Sequence, residues 1–296
     1  MIDVKARREN YGKGQHSINA GGLALTNDLQ SALRNTFASE GYKPPHLPRA
    51  ASEILSLSNN PNLNIDDVVK VLEEDGMLAG RILKVAASPA YAGDSRLTSL
   101  RQAVVPLGMT NLRDIVFEVS MQMTVFRAPG LEELIDKVWK HCRTTAYIAR
   151  IVCRYASLDG ELAFLCGLMH DVGTAGALML LAGDKRVDPK APETMAAVRA
   201  VHNIAGVAIT KRWGLDFDIQ HAVGHHHMLE DPVHPLSAVI CVAEHTASAL
   251  GYKMPKILDD GAAPDYGLAR HSLGFTDRTF EAFWADCESQ QDQFGT

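Results

Sequence analysis

Between Leu131 and Tyr155 the residues Leu134, Val138, His141, Thr145, Ile148, Val152 and Tyr155 recur at spacings of 4, 3, 4, 3, 4 and 3. That period lines up one face of an α-helix and no face of a strand. The same helical period runs from the punctuating Pro44-Pro45-His46-Leu47-Pro48 to Gly251, without a convincing stretch of alternating β-branched residues. A chain patterned in this way can bury its apolar stripes only by packing helix on helix, so the predicted fold class is all-α, a multi-helix bundle.

Breaks in the pattern set the expected organisation. Residues 1–46 read as an N-terminal arm with one helix over Thr26–Glu40, Thr26 as its N-cap and Gly41 as its stop. Residues 47–250 read as one continuous domain. Its smaller N-terminal lobe, 47–130, has short helices separated by Asn59-Asn60-Pro61-Asn62, Asp75-Gly76, Ser88-Pro89 and Pro106-Leu107-Gly108, and its second lobe, 131–250, has longer ones. The tail, 251–296, carries one further predicted helix over Asp277–Cys287.

With 46% hydrophobic and 22% charged residues, the 296-residue chain can bury a sizeable core. The net charge of −6 gives no electrostatic reason to expect a nucleic-acid polymer as partner. The longest apolar run, Ala175 to Ala182, is less than half of the roughly 20 residues that cross a bilayer, and Met1-Ile2-Asp3-Val4-Lys5 opens no signal peptide. No membrane association and a cytoplasmic location are therefore expected. Five cysteines without a Cys-x-x-Cys pair predict buried free thiols.

The informative residues are polar ones placed where core residues belong. His141 sits in the stripe described above. Leu162–Met169 is apolar all round and delivers His170-Asp171 at its end, ahead of an expected flexible Val172-Gly173. A carboxylate brought into a core is costly unless it is paired or bound to metal. His202 shares a face with Val198, Ala205 and Ile209 in a helix opening near Pro192, and His226 shares one with Ile219 and Val223. His227 flanks His226, whereas His225 turns away with His221. Glu244 follows six small or apolar residues, Ala238 to Ala243. Each taken alone also fits a plainer role: a hydrogen-bonded core histidine, a solvated helix end, or the first residue of an exposed face. Taken together, imidazoles and carboxylates in order along one helical lobe form a ligand set for divalent transition metals. The predicted centre is dinuclear, with one ion on His141, His170, Asp171 and Glu244 and the other on Asp171, His202, His226 and His227. Its chemistry would be activation of a bridging water for attack on a phosphate ester, with His170 and Asp171 as the catalytic pair.

The order His141, His170-Asp171, then an acid at 244 resembles the HD superfamily of metal-dependent phosphohydrolases. His202 and His226-His227 look like the additional ligands of its HD-GYP phosphodiesterases, which hydrolyse cyclic di-GMP, often with iron. Upstream, Leu47-Pro48, Glu74-Asp75-Gly76-Met77-Leu78, Arg81–Ser88 and Ser99–Gly108 resemble the N-terminal lobe of the HDOD family, a bacterial signalling module. The resemblance implies an HD-type bundle and two divalent ions, iron or manganese. The chain departs from these relatives at four places. No Gly-Tyr-Pro loop follows His227, Thr174 stands where a lysine is usual, Lys137 stands where some carry a third-metal glutamate, and Glu244 replaces the usual aspartate. Loss of a phosphate-facing cation removes transition-state charge stabilisation. The expected function is thus a signal-transduction module that keeps its metal site with altered or lost hydrolysis, acting on a protein partner that arrives in trans. The alternatives are a phosphohydrolase or phosphodiesterase acting on a phosphorylated nucleotide or cyclic dinucleotide, and a di-iron oxygenase of HD type.

Overall fold

A computed structural model describes residues 20–47, 49–58, 65–87, 99–160, 162–184, 187–229, 232–259 and 265–294. The expected breaks at Asn59-Asn60-Pro61-Asn62 and Ser88-Pro89, and the arm up to residue 19, lie outside the described residues. Every regular element among the described residues is a helix. In chain order these are α1 (Ala20–Ala38), α2 (Arg49–Ser58), α3 (Ile65–Glu73), α4 (Gly76–Ala86), α5 (Leu100–Thr124), α6 (Glu132–Ala156) and α7 (Ala163–Met169). They are followed by α8 (Val172–Ala182), α9 (Pro192–Arg212), α10 (Phe217–His225), α11 (Pro235–Ala249), α12 (Tyr266–Ser272), α13 (Asp277–Ser289) and α14 (Gln291–Phe294). The all-α fold class follows.

Helices α2, α3 and α4 pack on the long α5. Their starts are written in the sequence: the Asp75 carboxylate accepts from the amides of Met77 and Leu78 to open α4, and the Ser99 hydroxyl accepts from Gln102 to open α5. Pro106-Leu107-Gly108 separates two helical stretches within the α5 span, as expected: at Gly108 the backbone leaves the helical region, with a φ of 71° that glycine tolerates, and the chain kinks there.

The second half of the molecule is built on α6, which is buried on most sides along its middle turns, with α7 and α11 against it and α8, α9 and α10 beyond. Helix α1 starts at Ala20, ahead of the expected Thr26 cap and through Gly21-Gly22, which propensity alone does not favour. It lies along α9 and buries Leu33 and Phe37. The tail holds two helices beyond the expected one: α12 packs on α11, while α13 and α14 reach back to α6. All five cysteines are buried free thiols.

The apolar stretch is longer than the Ala175–Ala182 run suggested. An 18-residue window within Ala163–Ala182 passes a length-and-composition test for crossing a membrane, yet 89% of that window is buried within the fold, and the segment is two helices, α7 and α8, broken at His170-Asp171. Val172-Gly173 is likewise no flexible link but the first turn of α8.

Candidate metal centre

Five helices and one helix junction converge on a single buried carboxylate. His141 comes from the middle of α6, and His170 caps the C-terminal end of α7. Asp171 precedes α8 but makes no capping bond to its backbone, so its carboxylate is turned into the bundle. His202 lies on α9, His226 caps the end of α10 with His227 beside it, and Glu244 comes from α11. Two glycines let these helices meet. A side-chain carbon on Gly167 would lie 2.6 Å from the Cα of Ala146 on α6. One on Gly173 would overlap the backbone oxygen of His202 itself. Only glycine permits so close an approach at these crossings.

The orientation of the imidazoles is repetitive. Nδ1 of His170 is 2.7 Å from the carbonyl of Gly167, Nδ1 of His202 is 2.5 Å from that of Arg199, and Nδ1 of His226 is 2.8 Å from that of Val223. In each case the carbonyl lies three residues earlier on the histidine's own helix. Nδ1 of His141 is 2.7 Å from the carbonyl of Tyr252, in the turn after α11. A carbonyl can only accept, so each Nδ1 donates and each Nε2 is the nitrogen left to meet a metal, at His170 only once the proton it shares with Asp171 is displaced.

Those Nε2 atoms face opposite oxygens of Asp171. Oδ2 lies 3.2 Å from His170 and 4.0 Å from His141, while Oδ1 lies 3.7 Å from His202 and 4.0 Å from His226. Oε1 of Glu244 is 4.0 Å from Nε2 of His141. The donor atoms thus fall into two sets, the members of each within 4.8 Å of one another: His141, His170 and Asp171 in one, and His202, His226 and His227 in the other. One carboxylate faces both. Nε2 of His202 and of His226 are buried without a hydrogen-bond partner, a cost that a bound cation would relieve.

Electrostatics follow from the packing. Burial by itself raises the pKa of Asp171, but His170, then His202 and His226, hold the carboxyl well below the usual range. Burial alone would lower His170, yet Asp171 beside it raises the imidazole to about 9. Burial and the neighbouring His170 push His141 down to about 4, and burial with His227 and His170 holds His226 well below the ordinary value.

All seven residues picked out in the sequence are therefore brought together, and His225 is turned away to stack on His221. Thr174 is buried with its hydroxyl 3.4 Å from Oδ1 of Asp171, and Lys137 pairs with Glu133 at 2.7 Å on the exposed side of α6. Sequence reasoning missed the Tyr252 carbonyl, which no local spacing connects to His141. It also missed Arg199, one turn before His202, whose guanidinium is bonded to the carbonyl of Ile257. Arg199, Thr174, Glu244, Met254 and Asp259 line a cavity of about 50 Å³ over the cluster.

Fold and site define a helical protein with an HD-type histidine–aspartate cluster. The sequence matches the HDOD domain over residues 45–229, and the chain belongs to that family. The match ends before α11, so Glu244 is supplied from outside it. Among solved structures, an HDOD domain protein of unknown function from Geobacter sulfurreducens is similar with a TM-score of 0.67 at 23% identity, covering 90% of this chain and 96% of that one. A proposed metal-dependent phosphohydrolase from Shewanella amazonensis SB2B has a TM-score of 0.64 at 19% identity, covering 84% and 99%. A proposed signal transduction protein from Marinobacter aquaeolei VT8 has a TM-score of 0.62 at 17% identity, covering 94% and 66%. These likenesses establish the fold. By sequence, an uncharacterized protein of Treponema pallidum (strain Nichols) is 22% identical over 246 residues, 78% of this chain and 45% of the relative. Ribonuclease Y of Thermus thermophilus is 30% identical over 131 residues, 41% of this chain and 20% of the relative. The chain thus spans less than half the length of these relatives.

Proposed function

We propose that the protein is a cytoplasmic signal-transduction module built around a dinuclear HD-type metal centre, with little or no phosphoester hydrolysis. His141, His170, Asp171 and Glu244 would hold one ion, and Asp171, His202, His226 and His227 the second, Asp171 being shared. The observation that carries this reading is the set of four Nδ1-locked imidazoles whose Nε2 atoms divide between the two oxygens of Asp171. The donor set, imidazole with carboxylate, suits iron or manganese. When bound, such a pair of ions would supply an activated water as nucleophile. The chain's own part is to orient the ligands and to exclude bulk solvent.

Two features favour a module over a nucleotide hydrolase. A cavity of about 50 Å³ is far smaller than sites that bury small organic ligands. Thr174 also offers a hydroxyl where a lysine would face a phosphate. The partner is then a protein of a signalling pathway, as the description of the Marinobacter protein suggests. A second reading, a phosphohydrolase, is favoured by Arg199 at the edge of the same cavity, a cation able to face an anionic substrate.

The test is elemental analysis of untagged protein and of Asp171→Asn, with single-turnover assays on phosphoesters. Two equivalents of iron or manganese, lost in the variant, with no phosphoester cleavage support the module. Turnover at about 1 per second or faster, abolished by Asp171→Asn, establishes the hydrolase instead. Absence of metal after anaerobic loading rejects the centre.

A further inference from the structure

On the face of α10 turned away from Asp171, a second group of imidazoles gathers. His221 and His225 are one helical turn apart and stack with ring centroids 4.3 Å apart. His234, immediately before α11, sets its ring 4.5 Å from His221, and its Nε2 lies 3.5 Å from Oδ1 of Asp218, one turn before His221. The three histidines line an open cavity of about 360 Å³ whose other walls include the apolar Met228, Leu229 and Val233. None of the four belongs to the centre around Asp171.

Three observations make this more than a patch of surface histidines. Histidines at i and i+4 on a helix have their side chains on one face, which is the spacing of a two-imidazole chelate. Nδ1 of His225 is 2.9 Å from the carbonyl of His221, so it donates there and its Nε2 keeps a lone pair, the same lock that sets the ligands of the central cluster. Nδ1 of His234 is buried without a hydrogen-bond partner, at the mouth of a cavity that a small cation can enter.

We propose that His221, His225 and His234, with Asp218, form a second, peripheral site for a divalent transition ion of the imidazole-preferring class, such as Zn²⁺, Ni²⁺ or Cu²⁺. His225 keeps the orientation its Nδ1 bond sets, and binding one ion would require the His221 and His234 rings to turn about χ1 and χ2 toward its Nε2. The ion ties α10 to the segment entering α11. His226 and His227 directly follow His225, so its occupancy steadies the helix end that presents two ligands of the central cluster.

The site is tested by equilibrium dialysis of the untagged full chain against Zn²⁺, followed by elemental analysis of wild type, His221→Gln, His234→Gln and Asp171→Asn. The expected result is one equivalent fewer in each of the two peripheral variants than in wild type, with that equivalent retained in Asp171→Asn. Because the count is a difference, it stands whether or not the central cluster takes metal. Copper loading of the same proteins gives a second readout, an electron paramagnetic resonance spectrum with coupling to several imidazole nitrogens that His221→Gln and His234→Gln simplify. Equal stoichiometry in wild type and both variants, or a Kd weaker than about 1 mM, overturns the proposal. Far-UV circular dichroism confirms that the variants are folded.

Discussion

In the metal-free protein the proton at the heart of the cluster sits on His170. Its folded pKa of about 9 is above the ordinary 6.5, because the Asp171 carboxylate 3.2 Å away outweighs the cost of burial. A raised pKa means that the imidazolium stabilises the fold fully below pH 6.5 and loses that contribution as pH climbs through about 9. A cation must displace the same proton. Metal uptake at neutral pH is therefore expected to release close to one proton from His170, and affinity to rise up to about pH 9. Calorimetry in buffers of different ionisation enthalpy reads this directly, and uptake without proton release would show that His170 is already neutral. The thiols give a second expectation at this scale. Burial raises Cys153 to about 11 and Cys287 to about 12, and it raises the buried Cys142, Cys166 and Cys241 as well. Thiolate is the reactive form, so iodoacetamide near pH 8 should label none of the five in the native protein and all of them after unfolding. Rapid native labelling of any one, seen by mass spectrometry, would contradict its assigned burial.

Between elements, the crossing of α8 and α9 is the tightest point near the cluster. An alanine at Gly173 would place its methyl on the backbone oxygen of His202, so one helix has to move away from the other. Gly173→Ala is expected to cost about 1–3 kcal/mol in urea unfolding and to remove His202 from reach of Asp171, lowering the metal content. An unchanged stoichiometry would mean that α9 does not carry a ligand. This crossing also marks where sequence reading stops. His141, His202 and His226 were legible because a polar residue inside a 3.6-residue apolar stripe has to point inward, and Asp171 because an apolar helix delivers it. The Asp75 and Ser99 caps that open α4 and α5 are local in the chain, but only the break at Asp75-Gly76 was read from it. Gly173 was read as a flexible link because glycine's intrinsic freedom and its use for close packing look alike until the opposing helix is present. The short α12 has too few turns for a periodic signal. The division of ligands between the two oxygens of Asp171 depends on helix positions that no spacing encodes.

Across the whole molecule, α5 docks on α6 through buried ionic groups. Asp114 is completely buried with Arg113 at 3.2 Å and Arg150 against its other oxygen. Glu118 accepts from Arg143 at 2.6 Å and from Tyr147 at 2.8 Å, and Arg143 also donates to the carbonyl of Phe294 in α14. Removing one member of such a set strands the rest, so Asp114→Ala is expected to cost about 3–5 kcal/mol. Arg154→Ala, which breaks an exposed pair with Asp286, should cost under about 1 kcal/mol. Denaturant titration of both separates the cases, and equal small losses would show that the α5–α6 contact does not hold the two together. The histidine locks have a different reach. For His170, His202 and His226 the orienting carbonyl lies within the same four residues as the ligand, so the instruction for tautomer and ring direction travels with the local helix. The rest of the chain has only to hold the helix ends at the right separations. Surrounding sequence can therefore drift widely without misdirecting a ligand, and a designed bundle that reproduced the crossings would inherit the centre from a few transplanted turns.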